Sequence, residues 1–308
     1  MATPGRRLSD WIVDRLWRGL IWLALRLPHR ARVTAMGWVF RTIVGPLSGR
    51  TAQARANLAM VFPDMPAAER ARITRAVLDN VGRVVMENYA TADQMARAQG
   101  WLPEGPGWQA AEAARAEGRP ILFVSGHYGN YQAGRATLNG RGYRMGGLYR
   151  PLNNDYLNAH YIATIEDIGG GAFTRDRRGL AGFVKHLRSG AQGAILIDQY
   201  LYDGPVFDFL GHPAPTSTAA AEMALKYKAL LIPIYSTRLP GGLDFRIELE
   251  PPIRHSDPYT MTAALNESLA ARVRAAPEQW FWLHDRWKPE RAEKAARRAS
   301  EAGHPPPS

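Results

Sequence analysis

The chain has 308 residues, 46% apolar and 22% charged, which supports a sizeable core and excludes a disordered protein. It contains no cysteine, so disulfides, thiolate nucleophiles and cysteine-based zinc sites are ruled out, and a reducing cytoplasmic setting is compatible. The 39 Lys and Arg outnumber the 28 Asp and Glu, giving a net charge of +11 that suits nucleic acid, an anionic membrane surface or an acidic soluble partner.

The position of the charge discriminates among these. Residues 1–50 hold nine arginines against only Asp10 and Asp14, a net of +7, mixed with Trp11, Trp17, Trp22 and Trp38. That mixture reads as a membrane interface, and no nucleic-acid-binding motif occurs elsewhere. Within it, residues 9–27 predict a helix, with Ser9 and Asp10 as N-cap candidates. Ile12, Leu16, Leu20, Leu23 and Leu27 form its apolar stripe, and Asp14, Arg15 and Arg18 lie off it. The longest uncharged run, Gly19 to Leu25, is far shorter than the ~20 residues of a membrane span. Charges within the apolar stretch and the lack of a small-residue cleavage site argue against a signal peptide. A helix lying in the membrane interface and an amphipathic helix packed on its own domain both fit the pattern.

Residues 50–98 read as helical, broken at Phe62 to Pro66, with Asp64 as the start signal of the second helix. From about residue 120 short apolar runs take over: Ile121–Val124, Gly146–Tyr149, Ala194–Ile197, Leu230–Tyr235 and Phe245–Leu249. Amphipathic segments near 131–140, 155–167, 178–189, 217–228 and 260–275 separate them. This rhythm predicts an α/β fold with helices around a largely parallel sheet. The expected organisation is a membrane-associating region at 1–50 and a catalytic domain at 51–289, helical to 118 and α/β from 119. The charged, proline-ending tail at 290–308 reads as disordered.

Chemistry concentrates in Ile121 to Gln132, ILFVSGHYGNYQ. A buried strand ends at Ser125-Gly126, His127 follows, and Gly129-Asn130 lead into a helix. Ligands of open α/β sheets bind at the C-terminal ends of strands, and histidine is suited to proton abstraction near neutral pH. A turn histidine that merely caps a neighbouring element has the same local sequence.

The segment resembles the S-G-H-x-G-N-x-E signature of the lauroyl/myristoyl acyltransferases of lipid A biosynthesis, within the H-x-x-x-x-D/E glycerolipid acyltransferase superfamily. Further stretches resemble the family in order: Arg55, Asn57, Leu58, Phe62 and Pro63; Tyr149-Arg150-Pro151 with Asn153 and Asn154; Asp198-Gln199; Phe207 to Ala214 with Thr216; and Pro277 to His284 with Arg286-Trp287-Lys288. The resemblance implies transfer of a fatty acyl group from acyl carrier protein to a hydroxyl of a Kdo-bearing lipid A precursor, without metal or cofactor. It also implies the cytoplasmic face of the bacterial inner membrane, with the N-terminal helix as anchor. A lysophospholipid or aminolipid acceptor would use the same chemistry, and a non-catalytic lipid- or carrier-binding homologue is the reading of another class.

By the same resemblance His127 is the general base and an acidic residue five positions on supports its imidazole. Position 132 is glutamine. Gln132 can accept a hydrogen bond from the ring but brings no charge. Three readings stand: an exchange that silences a working enzyme, a natural variant assisted by Asp198 or Glu222, or a protein that only binds. If a carboxylate is needed there, Gln132→Glu is expected to raise the rate. Arg150 is a candidate for the oxyanion or a phosphate, through its planar guanidinium. Asn130, Asn154, Arg175, Arg177, Asp198 and Gln199 are the expected substrate-binding residues. His284, Arg286 and Lys288 lie among Trp280, Trp282 and Trp287 and read first as an aromatic lock on the sheet. His160, His186, His212 and His255 lack zinc-site spacing.

Overall fold

The computed structural model describes residues 4–202 and 204–288; the expected disordered tail at 290–308 lies outside them. The first part is helical: α1 (Pro4–Leu25), α2 (His29–Val39), a π-helical turn (Phe40–Val44), the short α3 (Gly45–Leu47), α4 (Arg50–Val61), α5 (Ala67–Tyr89) and α6 (Thr91–Ala98). Strands and helices then alternate: β1 (Pro103–Glu104), α7 (Pro106–Ala116), β2 (Ile121–Ser125), α8 (Tyr131–Asn139), β3 (Met145–Tyr149), α9 (Asp155–Asp167), β4 (Ala172–Thr174), α10 (Arg177–Arg188) and β5 (Gln192–Leu196). The hairpin β6 (Val206–Phe209) and β7 (His212–Pro215) follows, then α11 (Ala219–Tyr227), β8 (Leu230–Arg238), β9 (Phe245–Leu249) and α12 (Pro258–Ala275).

The expected α/β architecture is present, with differences of local origin. Ser9 and Asp10 lie inside α1, which begins at Pro4, and α5 starts after Pro66 rather than being capped by Asp64. The expected continuous helix breaks at Ala90 (φ −108°, ψ 49°) between α5 and α6. Strands β1, β4, β6 and β7 have two to four residues each, too few for an alternation pattern to register.

The sheet has the order β1-β9-β8-β2-β5-β3-β4, and among its neighbouring pairs β8–β9 is the antiparallel one. All five residues of β2 are buried, as a central parallel strand covered on both faces requires. Ile121 and Phe123 point to one face, packed with Ala133 and Ala136 of α8 and Ala111 and Ala114 of α7. Leu122 and Val124 point to the other, against Phe183, Leu187, Ala221 and Leu265 from α10 to α12. A third core joins the helical part to the C-terminal segment, where Leu58, Leu78 and Phe209 pack with Trp280, Trp282 and Trp287.

The orientation of α1 is inverted for a helix on a domain surface. Asp14 has no exposed side-chain area and bonds Arg18 Nε at 2.8 Å, with Arg15 also in contact. Ile21 is buried beside it, and Trp17 meets Tyr89 edge-on at 5.9 Å. The predicted apolar stripe faces outward: Ile12, Leu16, Leu20, Leu23 and Leu27 are 44–69% exposed. Two bonds tie α1 to α9, from Asn154 Nδ2 to the Asp10 carbonyl (2.8 Å) and from Arg18 Nη2 to the Tyr156 carbonyl (3.3 Å). Among the described residues no helix is long and apolar enough to cross a membrane.

The C-terminal segment locks the sheet through a wholly buried arginine. Arg286 Nη1 donates to the Pro215 and Gln199 carbonyls, and Nη2 to Thr216 Oγ1. Burial pushes its pKa down to about 10, against the opposing pull of Asp198. Arg286→Ala should therefore destabilise the fold by about 3 kcal/mol or more, since it leaves buried acceptors unpaired and a cavity behind. Urea unfolding would read this as a lower midpoint; a variant within 1 kcal/mol of the parent (about a fifth of the equilibrium constant) would disprove the lock.

Candidate active site

Four parallel strands end at one edge of the sheet, and each delivers a polar residue there. His127 follows β2, Arg150 follows β3, Arg175 follows β4, and Asp198 and Gln199 follow β5. Strands β2 and β5 are hydrogen-bonded neighbours with Ser125 opposite Leu196. Two residues beyond that matched pair, His127 and Asp198 meet. The His127 peptide N–H donates to Asp198 Oδ2 (2.7 Å), and the ring Nδ1 lies 2.8 Å from Oδ1. Trp280 Nε1–H donates to Oδ2 at 2.9 Å.

Burial alone would raise the Asp198 pKa, but the His127 charge, two hydrogen bonds from His127 and one from Trp280 outweigh it and hold the carboxyl at about 2. An ionised carboxylate only accepts, so Nδ1 is the nitrogen that carries the proton toward Asp198, which leaves Nε2 as the nitrogen that faces away from it. The His127 side chain is 21% exposed, and Asp198 is 2% exposed. Tyr131 and Phe281 flank the imidazole, with ring centroids at 5.3 and 5.7 Å.

The turn that carries His127 is held from several sides. The His127 carbonyl accepts from Phe281 N–H, and Gly129 N–H donates to the Gln279 carbonyl. Gly129 has φ +56°, and a Cβ there would lie 1.7 Å from the Ser236 carbonyl oxygen, so only glycine fits. Asn130 caps α8 by accepting from Gln132 N–H and donates through Nδ2 to Glu87 Oε2 (2.8 Å). Glu87 in turn pairs with Arg238 of β8, through Nη1 at 2.5 Å and Nη2 at 2.8 Å, with both side chains buried. Arg238 also donates to Asn80 Oδ1, and Asn80 donates to the Gly129 carbonyl.

Beside His127 a cavity of about 260 Å³ runs between the strand ends and α8 and α9. Phe123, Met145, Leu148, Ile165 and Ile234 supply apolar wall, and Gln132 and Tyr161 supply polar groups. Arg135 also lines it, but its guanidinium is spent on the carbonyls of Met145, Ile165, Gly169 and Gly171. Arg150, Arg175 and Gln199 complete the lining. Desolvation and the neighbouring Arg150 lower the Arg175 pKa while Asp198 raises it. Among the described residues neither arginine has an ion-pair partner. The arrangement offers an oriented imidazole, an apolar slot and two arginines without an ion-pair partner among the described residues.

Not every expected site residue belongs to this cavity. Asn130 is wholly buried outside it, as a helix cap bonded to Glu87. Asn154 caps α9 by accepting from the Tyr156 and Leu157 peptides and fastens α1. Arg177 is exposed in the first turn of α10 and does not line the cavity. Asp198 touches the imidazole rather than the slot. Gln132 does line the slot, and the carboxylate at the imidazole is Asp198. Glu222 instead accepts from Thr218 within α11.

A sequence profile described as Bacterial lipid A biosynthesis acyltransferase matches residues 3–289. The chain belongs to this family. It is 26% identical over 273 residues to a lipid A biosynthesis acyltransferase of Haemophilus influenzae, covering 87% of this chain and 86% of that protein. It is 26% identical to the lipid A biosynthesis lauroyltransferase of Escherichia coli over 278 residues, 88% and 89% of the two chains. The myristoyltransferase of the same organism is 24% identical over 255 residues, 76% and 75% of the two.

Trp280 as a donor to Asp198 and Glu87 as a support of the turn were absent from the sequence reading. The second had a signal: Ile73, Val77, Asn80 and Glu87 share helical spacing, which places two polar residues on the buried stripe of α5.

Because Asp198 is depressed from its ordinary 3.8 to about 2, its stabilising contribution is complete above about pH 4 and is lost as pH falls through 2. Asp198→Asn should remove roughly 2 kcal/mol of this pH dependence. The measurement is the difference in urea unfolding free energy between pH 5 and pH 2. Identical differences in parent and variant would show that Asp198 is not held ionised by the fold.

Proposed function

We propose that this protein transfers a fatty acyl group from the thioester of acyl carrier protein to a hydroxyl of a Kdo-bearing lipid A precursor. The carrying observation is His127, oriented by Asp198, at the side of an apolar slot. His127 Nε2 removes the proton of the acceptor hydroxyl as its oxygen bonds to the acyl carbon. The carbon–sulfur bond then breaks, and the proton passes from His127 to the leaving thiolate. Asp198 stabilises the imidazolium formed in between, as the aspartate of a serine hydrolase does. With a carboxylate already at the ring, Gln132 does not imply an inactive protein. Arg150 and Arg175, without ion-pair partners among the described residues, suit the phosphates of the substrates.

We further propose that α1 docks the protein on the cytoplasmic face of the inner membrane. Leu16, Leu20, Trp22 and Leu23 are exposed on one helix, and Arg26 lies over Trp22 at 4.2 Å, an arrangement that suits a headgroup boundary.

His127→Ala should lower acyl transfer at least about 10³-fold, and Asp198→Asn about 10²- to 10⁴-fold, with acyl carrier protein thioester and Kdo-bearing precursor both supplied. Retention of more than a tenth of the rate in His127→Ala would remove it as the base. Faster transfer to lysophospholipids in the same assay would replace the acceptor. For docking, Leu16→Glu with Leu23→Glu should abolish flotation with anionic vesicles while leaving the melting temperature unchanged, because both side chains face away from the protein. Undiminished flotation would refute docking through α1.

A further inference from the structure

Gln132 is only 4% exposed and lines the slot, yet among the described residues its side-chain amide has no hydrogen-bond partner. An amide in that position keeps its donor free for water or for a ligand in the slot. The neighbouring polar groups are occupied. Tyr131 and Tyr161 share a hydrogen bond between their hydroxyls, and Arg135 is taken up by main-chain carbonyls.

The height of Gln132 in the slot is set by its neighbours on either side. Asn130 N–H donates to the Ser236 carbonyl, and Gly134 N–H to Ser236 Oγ. The register of β2 with β8 ends at Val124 opposite Pro233, and His127 and Ser236 each follow three residues later. Gln132 therefore lies near the end of β2 that carries His127, one turn of α8 before Arg135.

We propose that Gln132 is a catalytic residue whose amide nitrogen donates to the acyl carbonyl oxygen and holds the oxyanion formed there. This rests on the acyl-transfer reading above. As the acceptor oxygen bonds to the carbonyl carbon, the C=O π pair moves onto its oxygen, and His127 holds the acceptor's proton. When the pair returns, the C–S bond breaks and the thiolate takes that proton from His127. A carboxylate at 132 would face the growing negative charge without a proton to offer, whereas an amide donates and carries no charge. The site thus divides its work, with the negative charge on Asp198 at the ring and a neutral donor on Gln132 at the carbonyl.

The test uses the full chain with two donors, dodecanoyl and 3-hydroxydodecanoyl thioesters of acyl carrier protein, and compares Gln132→Met and Gln132→Glu. Met keeps the volume of Gln without its donor, and melting curves identify any variant that has lost its fold. Both variants should lose roughly 10²- to 10³-fold in kcat on both donors, with donor KM little changed. Activity in the Glu variant equal to or above the parent would overturn the proposal, because the position would then work as a support for His127. A loss confined to the hydroxylated donor would also overturn it, since the amide would then read the chain. Full activity of Gln132→Met, with His127→Ala and Asp198→Asn inactive, would sink this proposal alone. If those two controls stay active, the acyl-transfer chemistry on His127 itself fails.

Discussion

The site depends on a pairing of main chains. Because β2 and β5 run parallel with Ser125 opposite Leu196, the chain leaves both strands at the same height, and His127 meets Asp198 without further adjustment. A slip of one residue would turn each side chain to the other face of the sheet and separate the two. The register is defended by burial on both faces, through Leu122 and Val124 on one and Ile121 and Phe123 on the other. Packing on both faces of β2 thereby fixes the placement of a single ring.

The same logic explains the C-terminal segment. Trp280 occupies one oxygen of Asp198, Phe281 flanks the imidazole, and Gln279 receives the peptide of Gly129. Residues some 150 positions after His127 close the turn that carries it. The Glu87–Arg238 pair closes it from the opposite side through Asn130. A charge pair buried this fully brings little net stability, so its value lies in fixing one arrangement of the polar groups around it.

The strands β2, β3, β5, β8 and β9 and the flanking helices were legible because each has enough residues for its period to show. The short β4 and the β6–β7 hairpin were not. The position of His127 after a buried strand was legible, as were those of Arg150 and Gln199; the three-residue β4 that places Arg175 was not. Asn130 and Asn154 cap α8 and α9 outside the cavity, and a helix-capping asparagine and a ligand-binding one look alike in sequence. The carboxylate partner of His127 lies 71 residues away, so the sequence offers Asp198 and Glu222 as equal candidates and strand pairing brings in Asp198. Position 132 illustrates the same limit, because which way a side chain in the first turn of α8 points is decided by Gly129 and Ser236 together.

The bonds from Asn154 and Arg18 that join α1 to the start of α9 carry a mechanical consequence. The segment they fasten begins directly after Arg150 and Pro151, at the rim of the slot. The helix with the outward leucines is thus joined directly to the rim of the cavity beside His127. Whatever surface orients that helix also sets the angle at which a long hydrophobic molecule meets the entrance. An acceptor held in that surface approaches by sliding in two dimensions and never has to carry its chains through water.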